Sequence, residues 1–327
     1  MKFPGIEDME YCRSVNKNVQ NESDGEEPKP ECRVPGRIRA VDTNQPNVSL
    51  EERMKRIITL VAVLSLLMCA AMSAQAADIE LAKKSTLEQI VQSGTLRVGL
   101  EAGYMPFEMT DKKGNVVGFD VDMVKEMAKA MGVKLELVNT AWDGIIPGLL
   151  SGKYDIIASG MTINQERNLK VNFANPYIIV GQTALIAKKS ADKIKSWKDL
   201  NQAGVVITSK LGTTGEQAAK RLFPKATYKS FEMEDQAMLE TMNGKADATV
   251  YDLPMTSIFY TQHGKDAGMV FLDEPFTYEP LGWAINKGDP DFLNWLNNFI
   301  VQIKNDGRYE RIYNKWFGSN DWYNNIQ

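Results

Sequence analysis

Charged, hydroxyl and aromatic side chains recur directly after short apolar runs in this 327-residue sequence. Glu101 and Tyr104 follow Leu96–Leu100, and Trp142 follows Lys134–Val138. Gly160, Thr162 and Arg167 come after Asp155–Ser159. Lys210, Thr213 and Thr214 come after Val205–Thr208, and Asp252 follows Ala248–Tyr251. Opposite charges, hydroxyls and aromatic surfaces are the components of noncovalent recognition. Components of covalent catalysis are scarce: His263 is the single histidine, which leaves no His cluster for zinc. Cys12, Cys32 and Cys69 all precede Ala77, so the chain beyond that point has neither disulfides nor thiolate metal ligands. Gly212-Thr213-Thr214-Gly215 lacks the Gly-Lys-Ser/Thr ending of a phosphate loop. No cofactor is expected.

The elements that must position these residues can be read from periodicity. Leu96–Leu100, Lys134–Val138 and Asp155–Ser159 read as strands separated by two helical patterns. The first helix carries Met123, Val124, Met127, Ala128 and Met131 on one face, with Asp120 expected as its cap and Gly132 as its end. A second set follows: strands at Val205–Thr208, Thr227–Phe231 and Ala248–Tyr251, with helices at Thr214–Phe223 and Asp235–Met242. Gln182–Lys188 and Leu281–Asn286 lie between the patterns and are expected to be two crossings of a hinge. Phe292, Trp295, Leu296, Phe299, Ile300 and Ile303 form an apolar stripe that must dock on a core, and the first lobe offers one. Tyr309, Tyr313 and Trp316 are expected to pack there too. The fold class is therefore α/β, two-lobed, with residues 77–187 and 279–327 forming one lobe and 188–278 the other. In open α/β sheets ligands sit outside the carboxyl ends of the strands. Two such rims facing one cleft would gather the residues named above.

At these residues the sequence resembles the periplasmic polar amino-acid-binding proteins of ABC transporters, solute-binding family 3. The matching pieces are Tyr104-x-Pro106-Phe107-Glu108, Gly118-Phe119-Asp120-Val121-Asp122, Trp142-Asp143-Gly144-Ile145-Ile146-Pro147, Ser159-Gly160-Met161-Thr162 through Arg167, Gly212-Thr213-Thr214, Ala246-Asp247-Ala248 with Asp252, and Asp306-Gly307-x-Tyr309 through Gly318. They keep the family's order and cover nearly all of residues 84–319. Gly144-Ile145-Ile146-Pro147, Lys210 and Asp252-x-Pro254 look closest to glutamine-binding members.

The resemblance implies the type II periplasmic-binding-protein fold and a role for each residue. Arg167 would grip the ligand α-carboxylate, for which a planar guanidinium fork is suited. Thr214, with Thr213 at a helix N-terminus, would add contacts to the same anion. Asp252 would accept the α-ammonium, helped by the Gly160 carbonyl and the Thr162 hydroxyl. Tyr104 and Trp142 would wall the ligand's carbon chain, while Glu101 and Lys210 would meet its side-chain end. Lys210 donating to an amide oxygen and Glu101 accepting from an amide nitrogen favour glutamine, with asparagine, histidine and other polar amino acids left open. Hinge closure around the ligand is the implied mechanism, and a membrane permease the implied partner. A cyclohexadienyl dehydratase looks similar over the same motifs, but it carries a catalytic glutamate three residues after the position of Asp252. That residue here is Met255, which cannot transfer a proton.

Residues 1–53 are rich in Glu, Asn, Pro and Arg and lack periodic apolar pattern. Met54-Lys55-Arg56, the apolar run Ile57–Met72 and Ala74-Gln75-Ala76 have the order of a signal peptide. The run is about 16 residues, short of the ~20 that span a bilayer. Residues 54–76 are therefore expected to be a signal peptide cleaved near Ala76, Met54 the true start, and the product periplasmic. Lys and Arg total 38 against 42 Asp and Glu, and no basic block suggests nucleic acid. The protein is expected to act as a monomer.

Overall fold

The computed structural model describes residues 49–52, 54–62, 85–319 and 321–326. Two units divide the chain, Met1–Ser65 and Leu66–Gln327. In the first, residues 54–62, the start of the expected signal peptide, are helical and exposed. Residues 1–48 and the expected cleavage site after Ala76 lie outside the described residues. Among the described residues no helix is long and apolar enough to cross a membrane.

The second unit is built on two five-stranded sheets of matching design. In the first, β4 (Lys134–Asn139), β1 (Thr95–Leu100) and β5 (Ile156–Ile157) run parallel. Next to them β14 (Ala284–Ile285) runs antiparallel to both β5 and β6 (Asn172–Phe173). In the second, β10 (Thr227–Phe231), β9 (Val206–Lys210) and β11 (Ala248–Asp252) are parallel. There β8 (Gln182–Ile186) runs antiparallel to β11 and to the edge strand β12 (Val270–Leu272). The lobes are joined by an antiparallel ribbon of β7 (Ile178–Val180) and β13 (Glu279–Leu281). A short hairpin pairs β2 (Met109–Thr110) with β3 (Val116–Val117).

Helices cover both sheets. In the first lobe α1 (Thr86–Ser93), α2 (Phe119–Met131), α8 (Pro290–Asn305) and α9 (Arg308–Phe317) share one core, in which Trp283, Phe107, Phe119 and Met127 are buried. The α8 stripe buries Phe292, Leu296, Phe299, Ile300 and Ile303 on that core. Asp289 starts α8 by accepting from Phe292 N at 3.0 Å, and Pro290 fits the first turn, where its missing N–H is no loss. On the other side, α3 (Trp142–Leu150) buries Ile145 and Leu149 against Tyr154, Ile157 and Met161. The short α4 (Gln165–Asn168) follows β5. In the second lobe α5 (Thr214–Leu222), α6 (Glu234–Met242) and α7 (Leu253–Phe259) pack on the sheet, with Ile207, Ala219, Phe223 and Val250 in one core.

Three expectations need correction. Gln182–Ile186 is not a hinge crossing but an interior strand of the second sheet, so the first lobe ends before residue 187. All five of its residues are buried, as an interior strand requires. The second crossing also starts earlier than Leu281, because β13 begins at Glu279 while Ala284–Ile285 already belongs to the first sheet. Asp120 does not cap α2: Gly118 holds that position, and the Asp120 carboxylate is buried inside the lobe.

Candidate ligand-binding cleft

The carboxyl ends of β1, β4 and β5 face those of β9 and β11 across one narrow cavity. Glu101, Tyr104, Trp142, Gly160, Thr162, Arg167, Thr213, Thr214 and Asp252 all line it. Sequence reading quoted Glu108 and Ser159 only as pieces of motifs, and Tyr251 only as a strand end; these three line it as well.

Arg167 is fixed by its helix. Asn164 caps α4 by accepting from Arg167 N at 2.8 Å, which sets the direction in which the long side chain leaves. The guanidinium is buried, donates through Nη1 to Thr162 O at 2.8 Å, and lies 5.2 Å from the Trp142 ring centre. Burial lowers its pKa, opposed by the charges of Glu279 and then Asp252. Even so, guanidinium stays protonated at neutral pH. Thr213 caps α5 by accepting from Glu216 N at 3.3 Å, and the next residue, Thr214, turns its hydroxyl to within 3.3 Å of the Thr162 hydroxyl.

Asp252 ends β11 at the position before α7, yet its carboxylate makes no capping bond to that helix. It turns into the cleft, where Oδ2 accepts from the Tyr104 hydroxyl at 2.8 Å and Oδ1 from Gln182 Nε2 at 2.7 Å. Burial and then the charge of Glu279 push its pKa up to about 7, against the lowering effects of Tyr104, Arg167 and Gln182. An ammonium group arriving beside it would restore its charge. Glu279, on the hinge ribbon, and Gln182 are thus neighbours of the Asp252 carboxylate that sequence reading missed. Neither stands after a predicted strand on the rim, the one signal that located the others.

Gly160 has φ +49, and a Cβ there would sit 2.2 Å from the Tyr104 ring. Only glycine lets the backbone take this left-handed turn beneath the tyrosine. Its N–H donates to Asp120 Oδ2 at 2.8 Å, which fixes the loop.

Lys210 departs from expectation. It is buried and does not line the cavity. Its ammonium pairs with Glu101 across the cleft and with Glu234 at 3.0 Å within its own lobe. Burial opposes the charge, but Glu234 and Glu101 more than offset it and raise the pKa. Lys210 is therefore spoken for, whereas Glu101 remains on the cavity wall.

Several contacts join the lobes. Trp142 Nε1 donates to Gly212 O at 3.1 Å, and Tyr104–Asp252, Lys210–Glu101 and Thr162–Thr214 cross the same gap. This is a closed cleft. What it can do chemically is hold an anion near Arg167 and Thr214, a cation near Asp252, and a chain between Tyr104 and Trp142.

Known proteins resemble this chain in sequence and fold. A binding component of an ABC transporter from Wolinella succinogenes, complexed with lysine, is 57% identical, covering 71% of this chain and 99% of that one with a TM-score of 0.68. An ancestral amino-acid-binding protein, described as a precursor of cyclohexadienyl dehydratase, is 51% identical, covering 71% of this chain and all of that one with a TM-score of 0.67. An ABC transporter glutamine-binding protein of Bacillus subtilis is 31% identical over 264 residues, covering 80% of this chain and 94% of its own. Residues 96–319 match the description of the bacterial extracellular solute-binding proteins, family 3, and the chain belongs to that family of binding proteins rather than to an enzyme family.

Proposed function

We propose that the chain is the periplasmic amino-acid-binding component of an ABC importer, and that its ligand is an L-amino acid with a basic side chain. Arg167 and Thr214 would take the α-carboxylate, and Asp252 the α-ammonium with the Gly160 carbonyl and the Thr162 hydroxyl. Tyr104 and Trp142 would enclose the carbon chain. The observation that carries the choice of ligand is the charge at the far end of the cavity. Glu101 and Glu234 share one Lys210 ammonium, which leaves an acidic surplus, and Glu101 faces the cavity. Burying a charge is costly unless it is paired, so this surplus favours a ligand that brings a cation. Glutamine, favoured on the sequence, needed a free Lys210 ammonium to donate to its amide oxygen, and that ammonium is engaged by two carboxylates. The lysine held by the Wolinella protein supports the same reading.

Each lobe supplies half of the clamp, so only the closed form satisfies both ends of the zwitterion. Binding would then draw the population toward closure by the difference in affinity between the two forms. The closed, loaded protein would be what the permease accepts.

A thermal-shift panel of the twenty amino acids on residues 77–327 tests this. Lysine and arginine should raise Tm most, with glutamine weaker. Glutamine outranking both would reject the basic side chain, and no shift with any amino acid would reject the function.

A further inference from the structure

Glu108 is fully buried and yet lines the ligand cavity. Its Oε1 accepts from Ser159 Oγ at 2.7 Å, and Ser159 Oγ also accepts from Glu101 N at 3.0 Å. Its Oε2 meets no hydrogen-bond partner among the described residues. A buried carboxyl oxygen in that state costs stability unless something else engages it.

The charged and titratable groups around Glu108 are Asp120, Glu101 and Lys210, with the hydroxyls of Tyr104, Tyr177 and Tyr251. Asp120 N donates to Phe107 O at 2.9 Å, so the two carboxyl groups branch from neighbouring stretches of backbone. Asp120 accepts through Oδ2 from Gly160 N and the Tyr177 hydroxyl, both at 2.8 Å, while its Oδ1, like Glu108 Oε2, meets no hydrogen-bond partner among the described residues. Burial, then the Asp120 charge, hold the Glu108 carboxyl well above the ordinary range, against the Ser159 bond. Ser159 and Asp120 belong to the same lobe as Glu108, whereas Lys210 and Tyr251 approach it from the other.

We propose that Glu108 is a second acidic contact for the cationic side chain of the ligand, its Oε2 carrying a proton in the free protein and releasing it when the cation binds. The O–H bond breaks, the proton leaves to buffer, and a carboxylate–cation contact forms beside that of Glu101. A neutral side chain cannot drive this exchange, because it offers no charge to stabilise the carboxylate. Glu108 would thus discriminate lysine from glutamine, which are alike in their α-groups. The proposal rests on the basic-ligand reading above.

Calorimetric titrations of lysine and of glutamine at pH 7, in two buffers of unlike ionisation enthalpy, count the protons released. Asp252, at about 7, releases part of a proton to buffer when either ligand binds. The excess for lysine reports the neighbouring carboxyls of Glu108 and Asp120, the latter itself pushed up to about 7 by burial, and the Glu108 variant assigns it. Because lysine binding releases more protons, its affinity should rise with pH relative to that of glutamine. Glu108→Gln should erase the excess and weaken lysine more than glutamine. Lysine binding with no excess in the wild-type protein overturns the role of Glu108, whether or not the variant folds. Failure of every basic amino acid to bind overturns the ligand reading beneath it.

Discussion

Glu101, Glu234 and Lys210 have to be counted as one group, since the ammonium of Lys210 sits between the two carboxylates. Glu234 shares its lobe, whereas Glu101 reaches it from the other, so closing the cleft is what completes the trio. Removing the cation leaves the buried Glu234 carboxylate and the half-buried Glu101 carboxylate facing each other without compensation. Lys210→Met should therefore cost the ligand-free protein about 3–5 kcal/mol, the usual penalty for stranding a buried charge. Lysine should recover more of that loss than glutamine, because it carries a replacement cation into the gap. Thermal melts with and without each ligand read both effects; an unchanged melting temperature for the free variant would contradict the burial of a charged trio. In the sequence, Lys210 and Glu101 were legible as rim residues but Glu234 was not. Glu234 stands at the start of a helix, where an acidic side chain has an ordinary reason to be. Glu108 was equally disguised, since it sat inside a motif that gave it no separate role.

At the scale of elements, the alternation of short strands and amphipathic helices made the parallel part of each sheet readable. β1, β4, β9, β10 and β11 fall within a few residues of their expected places. The antiparallel strand of the second sheet was not readable. Gln182–Ile186 directly follows the hinge ribbon in the chain, and a uniformly buried run of five carries no alternation to announce which sheet it joins. Its placement matters because the register pairs Gln182 with Asp252, setting the amide beside the carboxylate. Gln182→Leu should keep the strand but remove one donor from a buried acid. Asp252 would then be harder to ionise, and affinity for an amino acid should fall by roughly tenfold, the value of one hydrogen bond to a charged group. Calorimetry on the folded variant checks this; affinity within twofold of wild type would place the amide outside the recognition network.

At the scale of the whole molecule, the design places two similar sheets with their carboxyl rims opposed, joined by a ribbon that the chain traverses twice. The family-level resemblance and the topological rule for open α/β sheets agreed on that arrangement from the sequence, because both depend on the order of elements rather than on fine contacts. Side-chain choice at the far end of the cleft depends on which charges are already paired, and pairing is a property of the closed fold. Hence the residues around the cleft are legible in the sequence, while the choice of ligand side chain turns on charge pairing that only the fold displays. Arg167 and Asp252 are proposed to hold the two ends of a zwitterion from opposite lobes. Titrating lysine into the wild-type protein and into Arg167→Ala by calorimetry tests it most directly. The variant should lose about 3–5 kcal/mol of binding, enough to erase detectable heat. Lysine binding to Arg167→Ala with near wild-type affinity would rule out that two-ended clamp.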